Sequence, residues 1–180
     1  FFVLIWKEGG LWTETAVGLI GFSGPLIIDY LGQTTRFLAL TVGLLLTLIA
    51  SRSGLNKLST EILATIMMLT AGVMMVGRAN DLVFLFVALE LISIPTYVLL
   101  FLGRRDSGTE EATAKYFFLS LLASAILLYG MTFLYGVGGT TIIAGDATQP
   151  GIREAVGALP QDQLILYLVG LVMVSGGLGV

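Results

Sequence analysis

The 180-residue sequence contains no cysteine and no histidine. Without cysteine there are no disulfides, no Cys-ligated iron–sulfur clusters and no thiol catalysis in this stretch. Without histidine, bis-His haem, His-ligated zinc or copper and Ser–His–Asp hydrolysis are excluded as well. Charge is scarce: 12% of residues are charged, about half of the roughly 25% typical of a soluble globular domain. A soluble domain of this size needs polar residues over most of its outer shell, so an ordinary water-soluble fold is excluded. A net charge of −3 leaves no basic footprint, so no nucleic-acid partner is expected. Disorder goes with low hydrophobicity and high net charge, whereas 56% of these residues are apolar. What remains is an integral membrane protein. The alternating ten-residue pattern of a membrane β-barrel is missing too, so the fold class is all-α, a polytopic transmembrane helix bundle. With neither thiol nor imidazole, chemistry in the membrane falls to carboxylates, lysines, hydroxyls, backbone and water. No metal, haem, flavin or iron–sulfur cofactor is expected in this chain.

A spanning helix needs about 20 mostly apolar residues. Five windows qualify, near 31–51, 60–77, 81–102, 110–135 and 162–180, within a single transmembrane domain over 1–180. The chain opens Phe1-Phe2-Val3 without a Met and closes Leu178-Gly179-Val180 inside an apolar stretch. It therefore reads as a fragment of a longer membrane protein, residues 1–6 being the tail of an earlier span and 7–30 a loop. The short link Arg78-Ala79-Asn80-Asp81 forces the second and third windows into an antiparallel hairpin. Thr109 is a natural N-cap for the fourth helix, and Glu110 and Glu111 suit its positive end. A Gly- and Thr-rich segment, 136–160, precedes the fifth window, whose start fits Pro160 and Asp162. Lysines and arginines at 52, 57, 104 and 105 outnumber those at 7, 78 and 153. That bias predicts that loops 52–59 and 103–109 face the cytoplasm.

Glu90 is the most informative residue. It lies nine residues into the third window, about 13 Å from that end at 1.5 Å per residue. A carboxylate at such depth costs about 2.5–3.5 kcal/mol on insertion scales and marks a proton or ion site by default. It must be protonated, paired, or open to a water-filled cavity; the plainer alternative is a polar anchor between helices. Pro95 follows five residues later and deprives the Leu91 carbonyl of its helical partner. With Ser93 and Thr96 nearby, that carbonyl either helps hold ordered water beside Glu90 or merely accompanies a packing kink. Lys115 follows Glu111 by four residues, a favourable surface pair, yet Tyr116-Phe117-Phe118 after it fits a position inside the bundle. Ser120-x-x-x-Ser124 with Ala123 and Ala125 is a small-residue face for helix packing. The run Ser175-Gly176-Gly177-Leu178-Gly179 is poor helix material, either a close-packing site or the start of an unwound segment.

Two stretches carry a family resemblance: Arg78 to Leu99, with its Leu-Glu-Leu-Ile-Ser-x-Pro core around Glu90, and Thr109-Glu110-Glu111-Ala112-Thr113-Ala114-Lys115-Tyr116-Phe117, followed by Ala123 to Gly130 and Leu134-Tyr135-Gly136. Together they resemble subunit N (mitochondrial subunit 2) of the proton-pumping NADH–quinone oxidoreductase, respiratory complex I. The match is strong over 60–136, carried by glycine pattern over 162–180, and limited to hydropathy before 58. The resemblance implies an antiporter-like membrane subunit built from inverted repeats, of which this chain holds part of the first. It implies proton translocation coupled to quinone reduction, with Glu90 and Lys115 on a mid-membrane path. A further lysine of the family's discontinuous helix would lie just past Val180. NADH, FMN, iron–sulfur clusters and quinone would be bound by other subunits. The implied partners are other membrane subunits, the lipid bilayer, protons and water. The implied location is a multi-pass protein of the bacterial inner membrane, with mitochondrial and thylakoid membranes still open. Helix depths put Glu90 and Lys115 about 11 Å apart along the membrane normal, too far for a direct ion pair. A multi-subunit cation/proton antiporter and a non-transporting scaffold are the competing functions.

Overall fold

The computed structural model describes residues 25–27, 30–52, 57–103, 106–145, 150–157 and 159–179. The expectations for 1–24 and for Arg104 and Arg105 fall outside these residues. Six helices follow in order: α1 Tyr30–Ser51, α2 Lys57–Val76, α3 Leu82–Leu102, α4 Ser107–Gly138, α5 Ile152–Val156 and α6 Gln161–Leu178. The five long ones fall on the five apolar windows, and no strand occurs among the described residues. By length and composition α1, α3 and α4 suffice to cross a membrane, while Thr60–Val76 and Gln163–Leu178 are shorter apolar helices.

α4 is longer than its apolar window at both ends. Its 32 residues extend roughly 48 Å, well beyond a hydrocarbon core of about 30 Å. The N-cap is Asp106, not Thr109: Asp106 Oδ1 accepts the Thr109 N–H at 2.8 Å, so Thr109 becomes the third residue of the first turn. Aspartate at an N-cap satisfies a free helical N–H and meets the positive dipole end with a charge. At the other end Gly139 takes φ 66°, and its N–H donates to Tyr135 O at 2.8 Å. That left-handed cap costs glycine nothing and any β-carbon something. α3 starts at Asp81, whose Oδ1 accepts the Val83 and Phe84 N–H groups at 2.9 and 3.0 Å.

Neighbouring long helices pack in chain order, α1 on α2, α2 on α3 and α3 on α4, and α6 returns to lie along α4. Glycine sets how closely. A β-carbon at Gly130 would lie 2.8 Å from Val174 N and 2.9 Å from Gly170 O, and one at Gly177 would lie 2.9 Å from Ala123 O. The backbones of α4 and α6 therefore touch, the small-residue contact expected between membrane helices. The glycine-rich run 175–179 stays helical through Leu178, so close packing is its role here. The main buried cluster gathers Leu82, Leu127, Met131, Leu134 and Ile152, where the start of α3, the end of α4 and α5 converge. The outer faces of α1, α4 and α6 expose large apolar side chains such as Leu38, Phe118 and Val172.

Candidate functional site

The middle of α3 carries the site. Glu90 is half-buried and turned toward α4, where Ser124 Oγ donates a hydrogen bond to Glu90 Oε1. Seven residues further along α3, Tyr97 stacks edge-on against Phe117 of α4 with ring centroids 5.3 Å apart. Pro95 is fully buried inside α3. The carbonyl it frees, Leu91 O, faces Gly72 of α2, where a β-carbon would lie 3.0 Å from that oxygen and 2.9 Å from the Leu91 carbonyl carbon. The kink is thus seated against α2. Thr96 Oγ1 donates back to Ile92 O at 2.8 Å rather than toward Glu90. Ser93 is half-buried on the turn after Glu90. Lys115 pairs with Glu111 on the surface of α4, the two side chains 74% and 66% exposed. Of the residues singled out from sequence, the structure joins none to Lys115 except Glu111. The contact made by Glu90 is instead with Ser124, a residue that sequence spacing assigns to packing.

A second polar cluster closes the α2–α3 turn. Asn80 is buried; its N–H donates to Pro25 O at 2.9 Å, and its carbonyl accepts from Ile143 N at 2.8 Å. Its side chain pairs with the backbone of Ala144 in both directions, at 2.9 and 3.0 Å. Thr141 Oγ1 donates to Asp81 Oδ2, and isolated antiparallel bridges join Leu26 to Ala79 and Asp81 to Ile142. The segment after α4 is therefore a clasp over the turn rather than a free loop. It is locked from behind by Glu154 of α5, whose Oε2 accepts the Gly145 and Gly151 N–H groups, each at 2.9 Å. These two bonds hold the Glu154 carboxyl below the usual glutamate range. Asp106, bonded first by the hydroxyl and then by the N–H of Thr109, is likewise held below the usual aspartate range. Gly151 is required at this crossing, since a β-carbon there would lie 2.6 Å from Gly145 N.

Chemically, the α3–α4 contacts bring together the Glu90 carboxyl and the Ser124 hydroxyl, with the Tyr97 phenol on Phe117 two turns away. Among the described residues no group of three or more Asp, Glu, His or Cys gathers as a metal site. No buried side-chain nitrogen or oxygen among them lacks a hydrogen-bond partner.

A family model described as NADH:quinone oxidoreductase/Mrp antiporter, TM, matches residues 79–176, which include Glu90, Lys115 and Ser124. The chain is 35% identical over 169 residues to the NADH-quinone oxidoreductase subunit N of Sphingopyxis alaskensis, covering 91% of this chain and 34% of that protein. It is 36% identical over 132 residues to the F(420)H(2) dehydrogenase subunit N of Methanosarcina mazei, covering 73% of this chain and 27% of that one. In structure it resembles respiratory complex I from Thermus thermophilus with bound aureothin. The TM-score is 0.67 at 27% identity, over 98% of this chain and 35% of that one. The chain thus spans about a third of the length of these relatives. It belongs to the NADH:quinone oxidoreductase/Mrp antiporter transmembrane family, as an antiporter-like membrane segment of the subunit N type.

Proposed function

We propose that this chain is part of the proton-translocating membrane arm of a quinone oxidoreductase, with Glu90 as a mid-membrane proton site and Lys115 as a second station nearer the cytoplasm. The observation that carries this reading is the single carboxyl in the middle of α3, half-buried and hydrogen-bonded by the Ser124 hydroxyl of α4. A hydroxyl partner of this kind accommodates both the carboxylate and the carboxylic acid. Charge movement across the full membrane field is worth about 2.3 kcal/mol per 100 mV per proton, so a path needs such stations at depth. One relative is named for NADH and another for F(420)H(2). This supports placing the electron donor outside the shared membrane segment, with this chain working through other membrane subunits of the complex. Five spans, loops 52–59 and 103–109 in the cytoplasm, and a bacterial inner membrane complete the reading.

The test is Glu90→Gln in the assembled complex, reconstituted into proteoliposomes. Quinone reduction and proton uptake are measured together, and assembly is checked on native gels. Pumping is expected to fall at least tenfold per quinone reduced, and wild-type pumping would overturn the assignment. The family description also covers Mrp antiporters. If replacing sodium by choline in the same assay abolishes transport, the antiporter reading prevails.

A further inference from the structure

We propose that Ser124 is the positioning residue for Glu90, a hydroxyl that serves the carboxyl in both of its protonation states. The inference rests on Glu90 being a proton site.

A helical serine or threonine ordinarily bonds its hydroxyl to a carbonyl one turn back. Nine hydroxyls on these helices do so, those of Thr41, Thr47, Ser51, Thr65, Thr70, Thr96, Thr113, Thr132 and Ser175. Ser124 departs from that habit and reaches across to another helix. The crossing belongs to the register of the helix pair. Glu90 and Tyr97 are seven residues apart on α3, and Phe117 and Ser124 are seven apart on α4. With the helices antiparallel, the Glu90–Ser124 and Tyr97–Phe117 contacts form two rungs of one ladder, about 10 Å apart at 1.5 Å per residue. The other side of α4 is fixed as well, because Gly177 of α6 packs onto the carbonyl of Ala123, next to Ser124.

A hydroxyl both donates and accepts. With Glu90 ionised, Ser124 donates to Oε1 across the Oγ–Oε1 contact of the structure. When Oε1 takes up a proton, the new O–H of Glu90 donates to Ser124 Oγ. The serine hydrogen then rotates to the carbonyl of Ser120, one turn back, where the nine other hydroxyls already point by analogy. One proton is gained and no backbone hydrogen bond is broken. An alanine at 124 serves neither state.

The experiment uses the intact complex in proteoliposomes with Ser124→Ala, Ser124→Thr and Glu90→Gln. The readouts are pumping per quinone reduced and the infrared carboxyl band that disappears in Glu90→Gln. Ser124→Ala is expected to lower pumping on the order of tenfold, the scale of a hydrogen bond to a charged group, and to move that band to higher wavenumber. Ser124→Thr, which keeps the hydroxyl, should restore both. If Ser124→Ala does not assemble, Ser124→Cys keeps the volume with a weaker donor and should show the same changes to a smaller degree. Wild-type pumping with an unmoved band in Ser124→Ala, or in Ser124→Cys where that stands in, overturns the role of Ser124 while leaving Glu90 in place. Wild-type pumping in Glu90→Gln overturns the reading beneath it.

Discussion

Asn80 and Glu90 lie ten residues apart on the same hairpin and are held in opposite ways. Asn80 is tied on every side: its backbone bonds Pro25 and Ile143, and its side chain bonds Ala144 twice. Its partners are backbone groups, which do not titrate or turn away. Among the described residues Glu90 is held by the side-chain hydroxyl of Ser124. The difference separates two uses of polarity in an apolar protein. A group satisfied by backbone from several directions fixes shape, whereas one satisfied by a single reversible donor is free to change charge.

The comparison breaks if the turn cluster proves functional or the seam proves structural. Asn80→Ala leaves both the N–H and the carbonyl of the half-buried Ala144 without their partner, at about 1–3 kcal/mol in all, since water can reach part of the gap. It is expected to lower the melting temperature of the solubilised complex, while the complexes that assemble pump normally. Glu90→Gln reverses the pattern. Its amide oxygen still accepts from Ser124, so melting should change by less than about 1 kcal/mol while pumping collapses. Gly72→Ala sharpens the comparison at the kink: a β-carbon 2.9 Å from the Leu91 backbone must push α2 from α3. Overpacking of this kind costs about 1–3 kcal/mol, read as a lower melting temperature. Lys115→Ala removes an exposed pair worth less than about 1 kcal/mol. A loss of pumping without a melting shift would place it on the proton path. The smallest effect concerns Glu154. Its carboxyl is depressed by the Gly145 and Gly151 N–H groups, so its contribution to the clasp is complete above the ordinary glutamate value of 4.5 and is lost as pH falls through the lower folded value. Hydrogen exchange at Gly145 and Gly151 should accelerate only in that acid range, and Glu154→Ala, which removes the acceptor of both N–H groups, should bring the fast exchange to neutral pH.

Much of this was legible in composition and spacing. Apolar runs located the five long helices, and the Arg78–Asp81 link dictated a hairpin. Long-range pairings were not legible, because periodicity reports which face is apolar and not what that face meets. Ser124 sits among Ala123 and Ala125 and looks like packing until α3 is laid against it. A usable signal did exist: the seven-residue spacings of Glu90 with Tyr97 and Phe117 with Ser124, on helices joined by a short link, give the register directly. At the start of α4, the sequence pointed to Thr109 as the cap. Asp106 wins over Thr109 because its carboxylate reaches the Thr109 N–H from outside the helix. Asn80 gave no cue at all, since its partner segment has neither helical nor strand periodicity.

The clasp also sets a timetable. Asn80 and Ala144 are 64 residues apart in the chain. A ribosome adding about 5–20 residues per second needs roughly 3–13 s to supply the second after the first. During that interval the α2–α3 hairpin exists with its turn still open. The turn closes only when α4 has been inserted and the segment beyond it has arrived on the same side of the membrane as Asn80. If α4 enters with the wrong orientation, Ala144 emerges on the opposite face and the turn stays unsealed. The Asn80–Ala144 bonds thus make closure of the α2–α3 turn depend on chain that follows α4.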